Sequence, residues 1–425
     1  MKKRATIILW LALRNLRRQA RRSLLTALSM ITGAILLMFS LTFGDGSHEQ
    51  LIEASVRMGS GHITVQMPEF HENRRIDERL SAEVRTEVER VLLGPEFTEH
   101  VTVVTPQFAI DGLASSSAGA RPVRIIGVDP ITESKFTLLD EKVIKGRYLE
   151  PQDEMSAYVG MALLGSLKLD IDSRFVLTAQ DVEGEITSQL VRVVGVFRTG
   201  IPAVDESLIH IPLSTVSAWF QIGDDVTNLS VLLDSSMSAG PLVRMLKREL
   251  AVIELADLEV MDWRSANPQL ASLLKIDDFG NYLFHGILFT IIALGIVNAV
   301  LISVLQRYRE FGLLQALGLT PRQVGGLVLT EGFILTAVST IVGIALGLFI
   351  TWFFWGDGLD LSALFGDEEW EFSGVVMDPV LIPLFRPVRI IQGILFILTI
   401  GTLASLHPAY RASRIGMIEA MKFDR

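Results

Sequence analysis

Gln306–Val324 reads QRYREFGLLQALGLTPRQV, a short amphipathic segment set between two long apolar runs. Arg307, Arg309, Glu310, Arg322 and Gln323 are its polar members; Phe311, Leu313, Leu314, Leu317 and Leu319 are apolar. Leu313, Leu314 and Leu317 fall at i, i+1 and i+4, a spacing that lets them share one helical face. Gly318 ends that helix, Thr320 caps the next, and Pro321 takes its first position. The expectation is a short helix lying flat against a membrane surface and offering one face to a partner. The competing reading is an ordinary cytoplasmic loop with a few arginines.

The flanking runs decide between them. The 425-residue chain is 49% hydrophobic and 20% charged, with a mean hydropathy of +0.41. Leu24–Phe43, Tyr282–Leu305 and Ile390–Leu406 carry no formal charge over 20, 24 and 17 residues; Val324–Trp355 carries one, Glu331, in 32. About 20 apolar residues cross a bilayer as a helix, so four transmembrane helices are expected, at 24–43, 282–305, 324–355 and 389–406. The first lacks a cleavage signal and reads as an uncleaved anchor. Basic residues crowd 1–23, the 306–323 segment and the 407–425 tail, whereas the 356–388 loop is acidic. The positive-inside rule then places both termini and 306–323 in the cytoplasm. The 1–23 stretch, with Trp10 among its apolar residues, reads as an amphipathic helix meeting membrane lipid.

Residues 44–281 form an extracytoplasmic domain inserted between the first and second helices. From Asp45 to Asp278 it holds 37 acids against 21 basic residues, which argues against a nucleic-acid partner. Period-two runs at 62–67, 101–110, 122–128, 174–179, 190–197, 208–211 and 229–233 predict strands. Helical patterns cover 76–93, 160–167, 213–220 and 241–251, giving an α+β domain. Two subdomains are expected, one from both ends of the segment and one from its middle, about 140–205. Leu270, Leu273, Leu274 and Ile276 stripe the approach to the second membrane helix, so that helix is expected to rise continuously as a stalk.

Chemistry-bearing motifs are absent from the sequence. No HExxH, GxSxG or P-loop is present, and none of the seven histidines stands at a zinc spacing. Cysteine is absent, so no disulfide, thiol nucleophile or cysteine metal site exists. The expectation is a non-enzymatic subunit with no metal or cofactor of its own; any ATP and magnesium would be bound by a partner. Ser115–Ser117 reads as a flexible loop. Gly343 and Gly347 stand at i and i+4 in the third helix, a spacing that lets helices approach closely. Glu331 is a functional candidate because membrane carboxylates are costly; the alternative is a snorkelling or capping role.

The segment Arg307-Tyr-Arg309-Glu310-Phe-Gly312-Leu-Leu-Gln-Ala316-Leu317-Gly318, with Thr320-Pro321 behind it, resembles the signature of ABC transporter permeases of the FtsX/MacB/LolC-LolE type. Glu331 matches a glutamate common in that family's third helix. The end, His407-Pro408-Ala409-Tyr410-Arg411-Ala412 through Ile418-Glu419-Ala420-Met421, resembles its closing pattern, and Gly146-Arg147-Tyr148-Leu149 resembles a recurring turn. The resemblance implies that 306–323 is a coupling helix seated on a separate P-loop ABC ATPase, that Arg307, Arg309, Glu310, Gly312, Leu313, Leu314, Leu317, Gly318, Thr320 and Pro321 form the coupling site, and that a second permease copy or paralogue completes a dimer. It implies an inner-membrane protein of bacteria working by mechanotransmission.

Gly61-His62-Ile63-Thr64-Val65 looks like the lipoprotein-releasing LolC/LolE branch, and the lack of a fused nucleotide-binding domain agrees with it. Phe43, Met58, Leu270, Leu273, Phe279 and Phe284 are then candidate contacts for a lipoprotein substrate, which a periplasmic acceptor or adaptor would take up; the alternative is that they pack the stalks. Efflux without a fused ATPase, and FtsX-like control of a periplasmic hydrolase, are the competing functions.

Overall fold

The computed structural model describes residues 10–15, 17–18, 20–362, 370–372, 375–377 and 380–415. The chain forms two compact units, one of residues up to His48, Lys275–Asp360 and from Val380, the other of Glu49–Leu274 with Leu361–Pro379.

Helix α1 (Ala20–Ser55) contains the first apolar run and outlasts it by a dozen residues. Residues 10–15 and 17–18 are helical, while the start of the expected amphipathic helix lies outside the described residues. Beyond α1, five residues form a π-helical turn, Val56–Ser60, broken at Gly59. From Glu49 onward the chain belongs to the inserted unit and is fixed to it. The Glu49 carboxylate accepts from the Ser236 backbone N–H at 3.1 Å and its hydroxyl at 3.0 Å. Arg57 donates to the carbonyls of Lys135 and Phe136 at 3.1 and 3.0 Å.

The inserted domain is built on strands β1 (Ile63–Gln66), β2 (Val101–Ser116), β3 (Gly119–Val128), β4 (Val143–Gly146), β5 (Ser156–Gly160), β6 (Arg174–Gln180), β7 (Ile186–Phe197), β8 (Leu208–Pro212), β9 (Asn228–Leu233) and β10 (Glu259–Asp262). They make one ten-stranded sheet in the order β10-β1-β9-β2-β3-β8-β5-β7-β4, with β6 paired to β2 and β7. Around it lie α2 (Ala82–Leu92), α3 (Pro130–Thr137), α4 (Leu213–Phe220) and α5 (Ala239–Val252). Ser81 caps α2 with its side chain, so this helix starts at Ala82 and not at Ile76, where the apolar pattern begins.

One core draws on both ends of the segment, among them Ile63, Leu92, Val231, Leu246 and Trp263. A second gathers Phe108, Ile125, Phe175, Val193, Ile209 and Trp219. The second core therefore takes in strands on both sides of 140–205, and the sheet runs unbroken between the two. Ser115 and Ser116 belong to β2 rather than to a loop, paired with Ala120 and Gly119. β5 escapes the alternation test because all five of its residues are buried.

The remaining membrane helices follow. α6 (Pro268–Gln306) joins the expected stalk and the second apolar run in a single helix. After α7 (Tyr308–Ala316) come α8 (Pro321–Trp355) and α9 (Pro387–Ser413). Among the described residues, four helices are long and apolar enough to cross a membrane. In the 356–388 loop, Leu359–Asp360 pairs with Val380–Leu381. The closing residues Ile418–Met421 lie outside the described residues.

Glycine notches set the helix spacing. A Cβ on Gly343 would stand 2.7 Å from the Ala34 Cβ and 2.9 Å from the Ile31 carbonyl, and one on Gly347 3.0 Å from the Met38 Cβ. The Gly343/Gly347 pair therefore seats α8 on α1. Gly401 on α9 faces Thr336 of α8 as closely, and Gly332 of α8 faces Ser405 of α9. Without a hydrophobic effect between helices in lipid, such close approach supplies dispersion contact instead.

Candidate functional site

The α7 segment is amphipathic across its two faces, and local residues stop it at its C-terminal end. At its C-terminus Gly318 adopts φ +98, where glycine pays no Cβ penalty. The Gly318 N–H donates to the Gln315 carbonyl at 3.0 Å, and the Leu319 N–H to the Leu314 carbonyl at 3.1 Å. This pair of bonds is a Schellman stop, with Leu314 and Leu319 both packed on the bundle core. The chain turns directly into α8, whose Gln323 side chain accepts from the Thr320 N–H at 2.8 Å. Pro321 takes the first helical position.

The inner face of α7 is locked. Phe311 is fully buried among Val304, Val324, Leu327 and Ala412. Arg307 is 4% exposed. Its Nη1 donates to both Glu331 oxygens at 3.0 and 2.8 Å, its Nε to Glu310 at 3.0 Å, and its guanidinium lies 5.0 Å from the Phe311 ring centre. Asn15 donates to Glu331 Oε1 at 2.6 Å, and Gln315 to the Ile415 carbonyl at 3.1 Å. One arginine thus ties α7 to α8, while Asn15 and Gln315 tie the same assembly to the N-terminal helical residues and the end of α9. Glu331 is the counter-ion of this buried arginine.

The outer face is free. Arg309, Leu313, Ala316, Leu317, Gly318, Thr320, Pro321 and Arg322 are exposed, Leu313 by 60% and Leu317 by 73%. Arg309, Leu313 and Leu317 stand four apart and form one stripe. Three of the expected site residues are therefore reassigned. Leu314 packs inward and does not share the face of Leu313 and Leu317. Arg307 is buried and cannot touch a partner; it holds the segment in place, as does Gly312, which is buried beside Phe311. Asn15 and Gln315 were not legible as partners, because nothing in a single sequence links positions 316 and 100 residues apart.

The six candidate substrate contacts separate by exposure. Phe43 is buried, its ring 4.5 Å from Phe39 and 6.2 Å from Trp355. Leu270 is buried in the first core of the inserted unit. These two pack the structure and are not available to a substrate. Met58 and Leu273 are half-buried, while Phe279 and Phe284 are 71% and 51% exposed.

Elsewhere the inserted domain's polar groups serve the fold. Arg147 of the Gly146–Leu149 turn clamps Asp153 with bonds of 2.6 and 2.7 Å, and that hydrogen bonding holds the Asp153 carboxyl below its usual range. The Leu233 N–H donates to His62 Nδ1 at 3.1 Å, which leaves the proton of a neutral ring on Nε2, 3.5 Å from Glu53. Burial pushes the His62 imidazole below its usual range. Among the described residues no group of three metal-ligating side chains is arranged to hold an ion.

Four apolar helices with an α+β domain inserted between the first two define a multi-pass membrane protein with its largest domain outside the bilayer. Residues 23–249 match the MacB-like periplasmic core domain family, and residues 282–417 the FtsX-like permease C-terminal family. The chain belongs to the FtsX/MacB-type ABC transporter permeases. Among its relatives is the lipoprotein-releasing system transmembrane protein LolC of Neisseria meningitidis, 21% identical over 362 residues and 81% of each chain. The uncharacterized ABC transporter permease YknZ of Bacillus subtilis is 24% identical over 97% of this chain and 98% of its own. The macrolide export ATP-binding/permease protein MacB of Haemophilus ducreyi is 23% identical over 77% of this chain and 46% of its own. The solved extracellular domain of YknZ aligns with 47% of this chain at 18% identity and a TM-score of 0.32.

Proposed function

We propose that this chain is the permease subunit of an ABC transporter in a bacterial inner membrane, driven by a P-loop ATPase on a separate polypeptide. Both termini and α7 lie on the cytoplasmic side in this reading. The ATPase presses on the stripe of Arg309, Leu313 and Leu317, and the locked inner face of α7 passes the push to α6 and α8. The movement reaches the inserted domain along α1 and α6, so work is done outside the bilayer. A dimer of permeases completes the assembly. The observation that carries this is the contrast across α7: a side held by a buried ion pair, a capping stop and a fully buried phenylalanine, against a side with two bare leucines.

The proposed work is extraction of lipidated proteins from the membrane, supported by the LolC relatives that align with most of the chain. Phe279 and Phe284, exposed on α6, are the residues of the six best placed to meet an acyl chain. Efflux stands beside this reading because MacB relatives align over a similar share of the chain.

Leu317→Asp in the complex with its ATPase tests the coupling. Burying a leucine is worth about 1.5–3 kcal/mol, so the variant is expected to weaken ATPase binding by at least tenfold, about 1.4 kcal/mol, with the fold intact. Glu310→Lys is expected to uncouple hydrolysis from work. Wild-type coupling in both would refute the assignment. Release of a lipidated protein from proteoliposomes separates extraction from efflux.

A further inference from the structure

At the end of the membrane helices remote from α7, α1 carries two acid–base groups facing different neighbours. Asp45, 6% exposed, faces Arg389 at 3.6 Å and Arg386 at 4.0 Å, both belonging to α9 or the residue before it. One turn on, His48 faces α6. Its Nε2 bonds the Asp277 carboxylate, and its Nδ1 stands 3.9 Å from Asp278. Between them lies a cleft of about 30 Å³ lined by Ser40, Asp45, His48, Asp278, Tyr282, His285 and Arg389 among others.

The two attachments differ in kind. α1 is joined to α9 by guanidinium–carboxylate pairs and to the segment leading into α9 by backbone: the Leu384 N–H donates to the Thr42 carbonyl at 2.9 Å, and Gly46 lies against the Ile382 carbonyl. The α1–α6 seam at this end uses histidines, with Ser40 and His285 in contact at 3.1 Å below His48. The α6 flank around it is bare: Ile276, Phe279, Tyr282 and Leu283 are 60–71% exposed. Carboxylates and guanidinium groups as residue types keep their charge between pH 5 and 8, whereas histidine changes it there.

We propose that His48 is a proton-operated clasp between α1 and α6. An imidazolium donates to Asp277 and sets its positive charge 3.9 Å from Asp278, so it attracts both carboxylates. A neutral ring has one N–H; its other nitrogen is an acceptor facing a carboxylate, and the attraction is lost on that side. The pair is partly exposed and its absolute strength is modest, but the change between the two states has a definite sign. The outer ends of α1 and α6 are held together at low pH and released as pH rises. Asp45, with Arg386 and Arg389, holds α1 to α9 in both states, so the seam that opens is the one to α6. The chemical event is one proton bound or lost on the ring, with no other reactant.

The absence of cysteine makes the test direct. Spin labels at Ser47→Cys and Ile276→Cys report the α1–α6 distance in the full-length chain in nanodiscs, at about pH 5.5 and about pH 8.5, either side of the histidine range. The clasp predicts that the short-distance population falls at least threefold at the higher pH. His48→Gln removes the pH response, His48→Lys keeps the helices close at both values, and His285→Gln leaves the response as in the wild type. A wild-type distance that ignores pH, or a response that survives His48→Gln or vanishes with His285→Gln, overturns the proposal. This readout involves no ATPase, so it stands or falls apart from the transport reading.

Discussion

Arg307→Met should damage the protein in proportion to what Glu331 loses. Glu331 has an 11% exposed side chain and receives two bonds from Arg307 Nη1. Removing one partner of a buried ion pair costs about 3–5 kcal/mol, because the other charge is left unpaired. Asn15 still donates to Glu331, which places the expected loss near the lower end, about 3 kcal/mol. Glu331→Gln should cost less, about 1.5–3 kcal/mol, since Arg307 keeps Glu310. The Glu310 bond is a minor term in either case: that carboxylate is 45% exposed, and such pairs are worth under about 1 kcal/mol. Replacing both, Arg307→Met with Glu331→Leu, removes two desolvation penalties at once and should return stability to within about 1 kcal/mol of the wild type. The assay is reversible unfolding of the four proteins in detergent, read as a double-mutant cycle with Glu331→Leu as the second single variant. Additive losses, with the double variant as unstable as the sum of the singles, would refute the lock.

Gly343→Ala pushes a methyl group to within 2.7 Å of Ala34, and overpacking of this kind costs about 1–3 kcal/mol. Gly295→Ala, where nothing lies within 4 Å, should be neutral in the same unfolding measurement. Glu133 is fully buried on α3, bonded to Gln107 and Thr105, and burial raises its pKa from 4.5 to about 7. A folded-state value above the unfolded one means the folded chain binds the extra proton, so stability is present at low pH and is lost as pH rises from about 4.5 to about 7. The midpoint of inserted-domain unfolding should fall across that window, and Glu133→Gln should flatten the slope whatever its effect on the baseline.

How much of this was legible follows from the range of each signal. The membrane helices and the turn into α8 rest on local pattern: uncharged runs of bilayer length, and Gly318, Thr320 and Pro321 each acting within a few residues. The stalk continuity of α6 was equally local. What escaped was long-range or two-sided. Leu314 and Leu317 are three apart and looked equivalent, yet Leu314 packs on the bundle core with Leu319 while Leu317 stays bare. Arg307 read as a surface cation because its partner is 24 residues away on another helix. β5 has no alternation to find, since both its faces are covered. Phe43 and Leu270 looked like substrate contacts by position alone; burial assigns them to packing.

A photoreactive side chain at Leu317, with the same group at Leu314 as its control, tests the central claim most directly. In cells, Leu317 is expected to give adducts to a P-loop ATPase, and Leu314 only to the chain itself. Leu317 adducts confined to lipid or to extracytoplasmic proteins would contradict it.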